Sequence, residues 1–303
     1  MSSQSSATPT LLVSGASGHL GRRVIELLLE TGERHIVAAT RTPATLADLA
    51  ARGVDVRQAD FDDANSLPAA FAGVDRMLLI STNAIDQPGH RVTQHVAAIR
   101  AAEAANVRHI VYTSITNPTP DNPAFVVPDH KATEAALEAS RLGYSVLRNN
   151  LYMDLLLGTV QQAMALGTLY SAAGNGKAGY VTREDCAHAA AAALAAPFDG
   201  RRTLNITGPA ALSHTDVAAI VSRLSGKHIP YVALPVETLV KNMVAAGLPE
   251  SFAAAYATFD VAIATGQLDM VSDTVEVLSK HKPIAAADFL AEYWKASIQQ
   301  PSA

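Results

Sequence analysis

Three glycines, Gly15, Gly18 and Gly21, stand at three-residue intervals directly after the run Leu11-Leu12-Val13-Ser14. Behind them Val24, Ile25, Leu27, Leu28 and Leu29 recur at helical spacing. A strand that turns sharply into a helix at such a point can hold an anion. The first glycine permits the tight turn, the second lets backbone approach a pyrophosphate, and the third lets helix and strand pack closely, while the helix start offers N–H groups without internal partners. Gly15, Ala16, Ser17, Gly18, His19 and Leu20 are therefore candidate cofactor contacts. A glycine-rich turn that serves structure alone is the alternative.

The ends of the next strands extend this chemistry. About twenty residues past the turn, where an acidic side chain would clasp the ribose hydroxyls of NAD, the chain reads Ala39-Thr40-Arg41. A guanidinium there suits a 2′-phosphate, hence NADPH, although a solvated strand end would carry the same residue. Asp60-Phe61 follows the third run, where a carboxylate can accept from an adenine amino group and a ring can flank the base. Ser81-Thr82-Asn83 follows the fourth and should pass beneath the ribose and the nicotinamide, with ordinary turn chemistry as the alternative for both segments.

Positioning such a site takes alternating strands and helices. β-Branched runs at Leu11 to Ser14, His35 to Thr40, Val54 to Gln58, Arg76 to Ile80, His109 to Ser114 and Tyr144 to Arg148 alternate with amphipathic segments at Leu20 to Glu30, Pro43 to Arg52, Asn65 to Phe71, His90 to Ala105 and Asp129 to Leu142. This rhythm predicts an α/β fold, a Rossmann-type doubly wound parallel sheet. After Arg148 helical segments predominate, at Tyr152 to Leu166, Glu184 to Ala196, Thr215 to Leu224, Val236 to Ala246 and Ser251 to Thr265, with short strands at Thr203 to Ile206 and Ile229 to Ala233. The expected organisation is a disordered tail over residues 1–9, an NADP-binding domain over 10–150, and residues 151–303 completing the sheet and forming a smaller, mainly helical substrate-binding lobe.

Composition narrows the partners. With 303 residues, 49% of them hydrophobic, the chain can bury a large core, and a net charge of −5 without a dense basic tract argues against nucleic acid. The apolar stretch Ala189 to Phe198 is about half the length a bilayer requires, so no membrane partner is expected. Cys186 stands alone, which excludes an internal disulfide and makes the cytoplasm the expected location. The ten histidines show no metal-ligand spacing, and Gly15-Ala16-Ser17-Gly18 lacks the last spacer of a nucleophile elbow. A small-molecule acceptor remains, with the oligomeric state open, a homodimer included.

Together with Val56 to Asp60, Tyr112-Thr113-Ser114, His130 to Glu134, Leu147 to Tyr152, Ala172 to Lys177, Val181-Thr182-Arg183 and Ala246 to Glu250, these residues resemble the NmrA-like atypical short-chain dehydrogenases along nearly the whole chain. The resemblance implies cofactor contacts at Gly15 to Leu20, Arg41, Ser81 to Asn83, and at Asn149, Asn150, Leu151 and Tyr152, where an asparagine can bond the nicotinamide carboxamide. Where related dehydrogenases carry a Tyr-x-x-x-Lys pair, this chain has His130 and Glu134. The usual acid is missing, so the implied acceptor is one that takes hydride readily, such as a quinone, a cationic dye, an imine or a conjugated carbonyl. His130 is a candidate proton donor, or a histidine bonded to Asp129 or to backbone. Lys131 turns away from that position on a helix and reads as solvated. Ser114 matches the superfamily's serine and Tyr152 is a candidate wall of the acceptor pocket, with a plain strand-end serine and core packing as the alternatives. The resemblance also covers redox-sensing proteins that bind the dinucleotide without turning it over.

Overall fold

The computed structural model describes residues 8–299, so residues 1–7 of the tail expected over 1–9 lie outside the described residues. A seven-stranded sheet has the order β3-β2-β1-β4-β5-β6-β7, with β1 at Leu11–Val13, β2 at Ile36–Thr40, β3 at Asp55–Gln58, β4 at Arg76–Leu79, β5 at His109–Ile115, β6 at Gly143–Asn149 and β7 at Arg201–Ile206. The β3-β2, β2-β1, β1-β4 and β4-β5 pairs are parallel, with Leu11 opposite both Ile36 and Arg76. The helices α1 (His19–Glu30), α2 (Ala47–Ala51), α3 (Leu67–Phe71), α4 (His90–Ala104) and α5 (Val127–Ala139) alternate with these strands. Strand order reverses direction at β1, so the loops leaving β1 and β4 flank the switch point at which such sheets bind ligands.

Every residue of β1, β2, β4 and β5 is buried, as strands covered on both faces require. The expected helix at Pro43 to Arg52 is instead a 3₁₀ turn, Pro43–Leu46, followed by α2, and Ala64–Ser66 forms another such turn before α3.

The chain divides into two compact units that interleave in sequence: residues up to Ser114, Asp129–Leu147 and Ala187–Leu204 in the first, and Ile115–Pro128, Arg148–Cys186 and residues from Asn205 in the second. The first unit's core joins Leu12, Val37, Met77, Leu79, Ile110 and Tyr112 of the sheet to Phe71, Ile99 and Leu137 of its helices. The second unit has its own core around Met153, Val160, Leu169, Tyr180, Val217, Val221, Ile263 and Leu290. There Leu169–Ser171 pairs in parallel with Tyr231–Ala233, and Lys177–Ala178 antiparallel with Leu212–Ser213. These strands of two or three residues are too short to leave a period in the sequence. The second unit also contains helices at Thr274–Ser279 and Ala286–Gln299, for which the sequence offered no expectation. Helix His214–Ser225 starts at a reciprocal cap, the Ser213 hydroxyl accepting from the Asp216 N–H at 3.2 Å and the Asp216 carboxylate from the Ser213 N–H at 2.8 Å.

Two arginines close helix ends in the first unit. Buried Arg76, at the start of β4, donates to the carbonyl oxygens of Leu194 at 2.8 Å and Phe198 at 3.0 Å, and pairs with Asp199 at 2.8 Å. Arg201 donates to the carbonyls of Glu138, Ser140 and Leu142 at 2.6–3.2 Å, closing the end of α5. The last carbonyls of a helix have no internal partner, and leaving them buried and unpaired is costly. Arg76→Met is therefore expected to lower the unfolding free energy by roughly 2–4 kcal/mol, measured by urea denaturation. A loss below about 0.5 kcal/mol would show that these carbonyls find other partners.

Candidate functional site

The turn after β1 takes the geometry its glycines predict. Gly15 adopts φ +60°, in the left-handed region, and its carbonyl accepts from the Gly18 N–H at 2.9 Å. At Gly21 a Cβ would stand 2.4 Å from the Gly15 carbonyl oxygen, so any side chain there would drive α1 away from the turn. Ala16 donates its N–H to the Ala39 carbonyl at 3.2 Å, and the Thr40 hydroxyl donates to the Ser17 hydroxyl at 3.1 Å, tying the turn to β2. Gly18 caps α1 without a side-chain hydrogen bond, and no acidic residue occupies the first turn. That helix end is open to an anion.

One cavity of about 470 Å³ in the first unit gathers the exits of four strands. Its walls are Ser14, Gly15, Ser17 and Gly18 after β1, Thr40, Arg41 and Thr42 at β2, Ala59, Asp60 and Phe61 after β3, and Ile80, Ser81, Thr82 and Asn83 after β4. Nine of the candidate cofactor contacts thus meet around one space. Of the remaining first-unit candidates, Ala16 is buried, His19 is exposed at the start of α1 and Leu20 packs into the core.

Gln94 of α4 also lines this cavity, and no motif pointed to it. Its Nε2 donates to Asp62 Oδ1 at 2.9 Å, and the same carboxylate oxygen meets His90 Nε2 at 2.8 Å. These two hydrogen bonds hold the Asp62 carboxyl below its ordinary range, and the pairs with Asp62 and Asp86 raise the half-buried His90. The buried positions of α4 are Arg91, Gln94, His95, Ala98, Ile99 and Ala102, a helical stripe whose first half is polar. That polarity is the one sequence signal that could have found these residues.

The fit of a dinucleotide can be tested on this geometry. A narrow glycine turn, an uncapped helix start and a rim arginine suit a pyrophosphate and a 2′-phosphate, and Phe61 offers a ring face beside the cavity. In the second unit, Asn149 at the end of β6 has a buried Oδ1 without a hydrogen-bond partner, while its Nδ2 donates to the Tyr152 hydroxyl at 3.1 Å. Asn149 thus keeps an acceptor suited to a carboxamide N–H. Asn150 does not, because its Nδ2 donates to the Leu268 carbonyl at 3.0 Å and its Oδ1 accepts from the Leu151 N–H at 2.8 Å. Leu151 packs into the core of its unit.

Tyr152 is half-buried, with the Arg183 guanidinium 5.4 Å from its ring centroid and Arg183 paired with Asp154 at 2.7 Å. Burial raises its phenol, which stays protonated at neutral pH. The Ser114 hydroxyl donates to Glu134 Oε1 at 2.6 Å, which joins the two positions carried over from the serine and lysine of related dehydrogenases. Lys131 is exposed.

His130 differs from the expectation of a proton donor. Its Nδ1 meets the Tyr112 hydroxyl at 2.8 Å, not Asp129 or backbone, and the side chain is buried. Burial, reinforced by the positive charge of Arg91, holds its pKa well below 6.5, so the imidazole is in its neutral form at physiological pH and is not poised as a general acid. His95 and His109 are likewise pushed down to about 3 by burial. The unfolded chain takes up these protons below pH 6.5 and the folded chain does not, so the stability present above pH 6.5 is lost as pH falls from there toward about 3. Ring titration by NMR is expected to leave His130 uncharged at about pH 6, with urea stability lower at about pH 5 than at pH 7.5. A His130 midpoint near 6.5 would restore it as an acid.

Fold and site together define a dinucleotide-binding protein of the short-chain dehydrogenase type. Residues 7–291 match the NmrA-like family, and the chain belongs to it. It is 34% identical to quinone oxidoreductase 2 of Escherichia coli over 95% of this chain and 99% of that one. It is 30% identical to an NAD(P)H azoreductase of Xenophilus azovorans, over 92% of this chain and 96% of the relative. The crystal structure of the NADPH-dependent E. coli quinone oxidoreductase complexed with NADPH superposes with a TM-score of 0.88, covering 95% of this chain and 99% of that one. That of a Citrobacter triphenylmethane reductase complexed with NADP(H) does so with a TM-score of 0.84 at 31% identity, covering 93% and 99%.

Proposed function

We propose that this protein passes hydride from NADPH to a quinone-like or otherwise activated acceptor, a cationic dye, an imine or a conjugated carbonyl. The chain is an oxidoreductase and its cofactor is NADPH, as its membership of the family and its similarity to NADPH-complexed reductases establish. The cavity that joins four strand exits behind an uncapped helix start carries the rest.

NADPH, when bound, supplies a hydride at its nicotinamide. In this reading the turn from Gly15 to Leu20 binds the pyrophosphate through main-chain N–H groups, Arg41 pairs with the 2′-phosphate, and Asp60 and Phe61 hold the adenine. Ser81 to Asn83 support the ribose, and Asn149 fixes the carboxamide through its unpartnered Oδ1. Tyr152 walls the acceptor and offers a protonated hydroxyl whose oxygen already accepts from Asn149. His130 is held neutral and Ser114 directs its hydroxyl hydrogen bond to Glu134, so neither supplies the acid that a simple ketone needs. Acceptors that take hydride without prior protonation, and collect any proton from water, suit such a site.

The same locked His130 and Ser114 favour one other reading, a dinucleotide-binding redox sensor without turnover. Following NADPH absorbance with the purified protein and a panel of quinones, cationic dyes, imines and ketones separates them. Oxidation with the quinones and dyes, and little with simple ketones, is expected. No oxidation above the protein-free rate with any acceptor would leave the sensor.

A further inference from the structure

The chain leaves β4 at Leu79 with three successive main-chain donors that the strand no longer pairs. Each is taken by a side chain. Ile80 N–H donates to Ser14 Oγ at 3.0 Å, Ser81 N–H to Thr113 Oγ1 at 2.8 Å, and Thr82 N–H to His95 Nε2 at 3.0 Å. Ser14 follows β1, Thr113 lies in β5 and His95 in α4, so the segment is held from three elements at once. Ile80, Ser81 and Thr82 all line the cavity assigned to NADPH.

The third contact differs from the other two in fixing the tautomer of its acceptor. A main-chain N–H can only donate, so His95 Nε2 is the acceptor and Nδ1 carries the proton. Nδ1 then donates to Thr133 Oγ1 at 2.9 Å, and the Thr133 hydroxyl donates to the Asp129 carbonyl at 2.8 Å. Three hydrogen bonds run one way from the cavity wall to the first turns of α5, the helix that bears His130 and Glu134. His95 is fully buried, and its ring centroid lies 5.5 Å from that of Tyr112, the partner of His130, in an edge-to-face arrangement. An imidazole in this place spans a distance that no hydroxyl can, because its two nitrogens face opposite ways.

We propose that His95 is a positioning residue for the cofactor: its neutral imidazole is a strut that fixes the Ser81 to Asn83 wall of the NADPH cavity against α5. The inference rests on NADPH occupying that cavity. A hydrogen bond carried by Nε2 can be reproduced by a glutamine Oε1, and one carried by Nδ1 by an asparagine Nδ2. His95→Gln therefore retains the Thr82 contact, His95→Asn retains the Thr133 contact, and His95→Leu retains neither.

NADPH dissociation constants by calorimetry, with melting temperatures taken in parallel, test the assignment. His95→Gln is expected to stay within about threefold of the wild type, while His95→Asn and His95→Leu weaken NADPH by about tenfold or more. Equal constants for the Gln and Asn variants, whatever their melting temperatures, would reduce His95 to core packing and overturn the proposal. Should the variants fail to fold, the uniformly 15N-labelled wild type decides, because a Thr82 N–H held by His95 Nε2 transmits a nitrogen–nitrogen coupling through the hydrogen bond. Its absence would overturn the strut. A wild type that binds no NADPH would instead refute the functional reading on which the inference stands.

Discussion

The packing of α1 against the turn that precedes it sets the terms for the site. With a Cβ at Gly21 2.4 Å from the Gly15 carbonyl oxygen, the helix and the turn share a space that only glycine leaves open. That approach puts the first N–H groups of α1 over the end of β1, and β1 sits at the point where the strand order reverses. The remaining walls of the cavity follow from parallel pairing, because strands that run together end together. Arg41, Asp60 and Ser81 are far apart in sequence and meet for that reason.

Much of this is legible in the sequence. The glycine spacing, the apolar runs and the polar residues at four strand ends specified the sheet and the cavity, since each is a local pattern with a fixed geometric consequence. Gln94 and His95 were not readable, because the sequence shows two polar residues on a helix without showing that the stripe they occupy is buried. The short strands and last helices of the second unit escaped as well, being too brief or too weakly patterned to register. Asn149 and Asn150 look equivalent in sequence, and only the partners of Asn150 separate them.

His130 illustrates a different limit. Its place in the sequence invited an acid, whereas burial beside Arg91 and a hydrogen bond with Tyr112 give it the opposite character. The first unit holds several such groups: His95 is neutral, Tyr112 is pushed up by burial, and the Arg91 side chain is buried with Nε and Nη1 lacking hydrogen-bond partners, Nη1 forming an ion pair with Asp129 at 3.9 Å. Polar groups enclosed this way rigidify the framework and do not trade protons with solvent. Under the proposed function, this leaves His130 and Ser114 outside acid catalysis, with the site orienting the two reactants.

In the proposed function the glycine turn and Arg41 together recognise a 2′-phosphorylated adenosine diphosphate. Calorimetric titration of the wild-type protein with adenosine 2′,5′-bisphosphate and, separately, with adenosine 5′-monophosphate isolates that recognition from everything at the nicotinamide end. The bisphosphate is expected to bind about tenfold more tightly or better, a difference of about 1.4 kcal/mol that shrinks as salt rises. Equal affinity for the two at low salt would contradict the account.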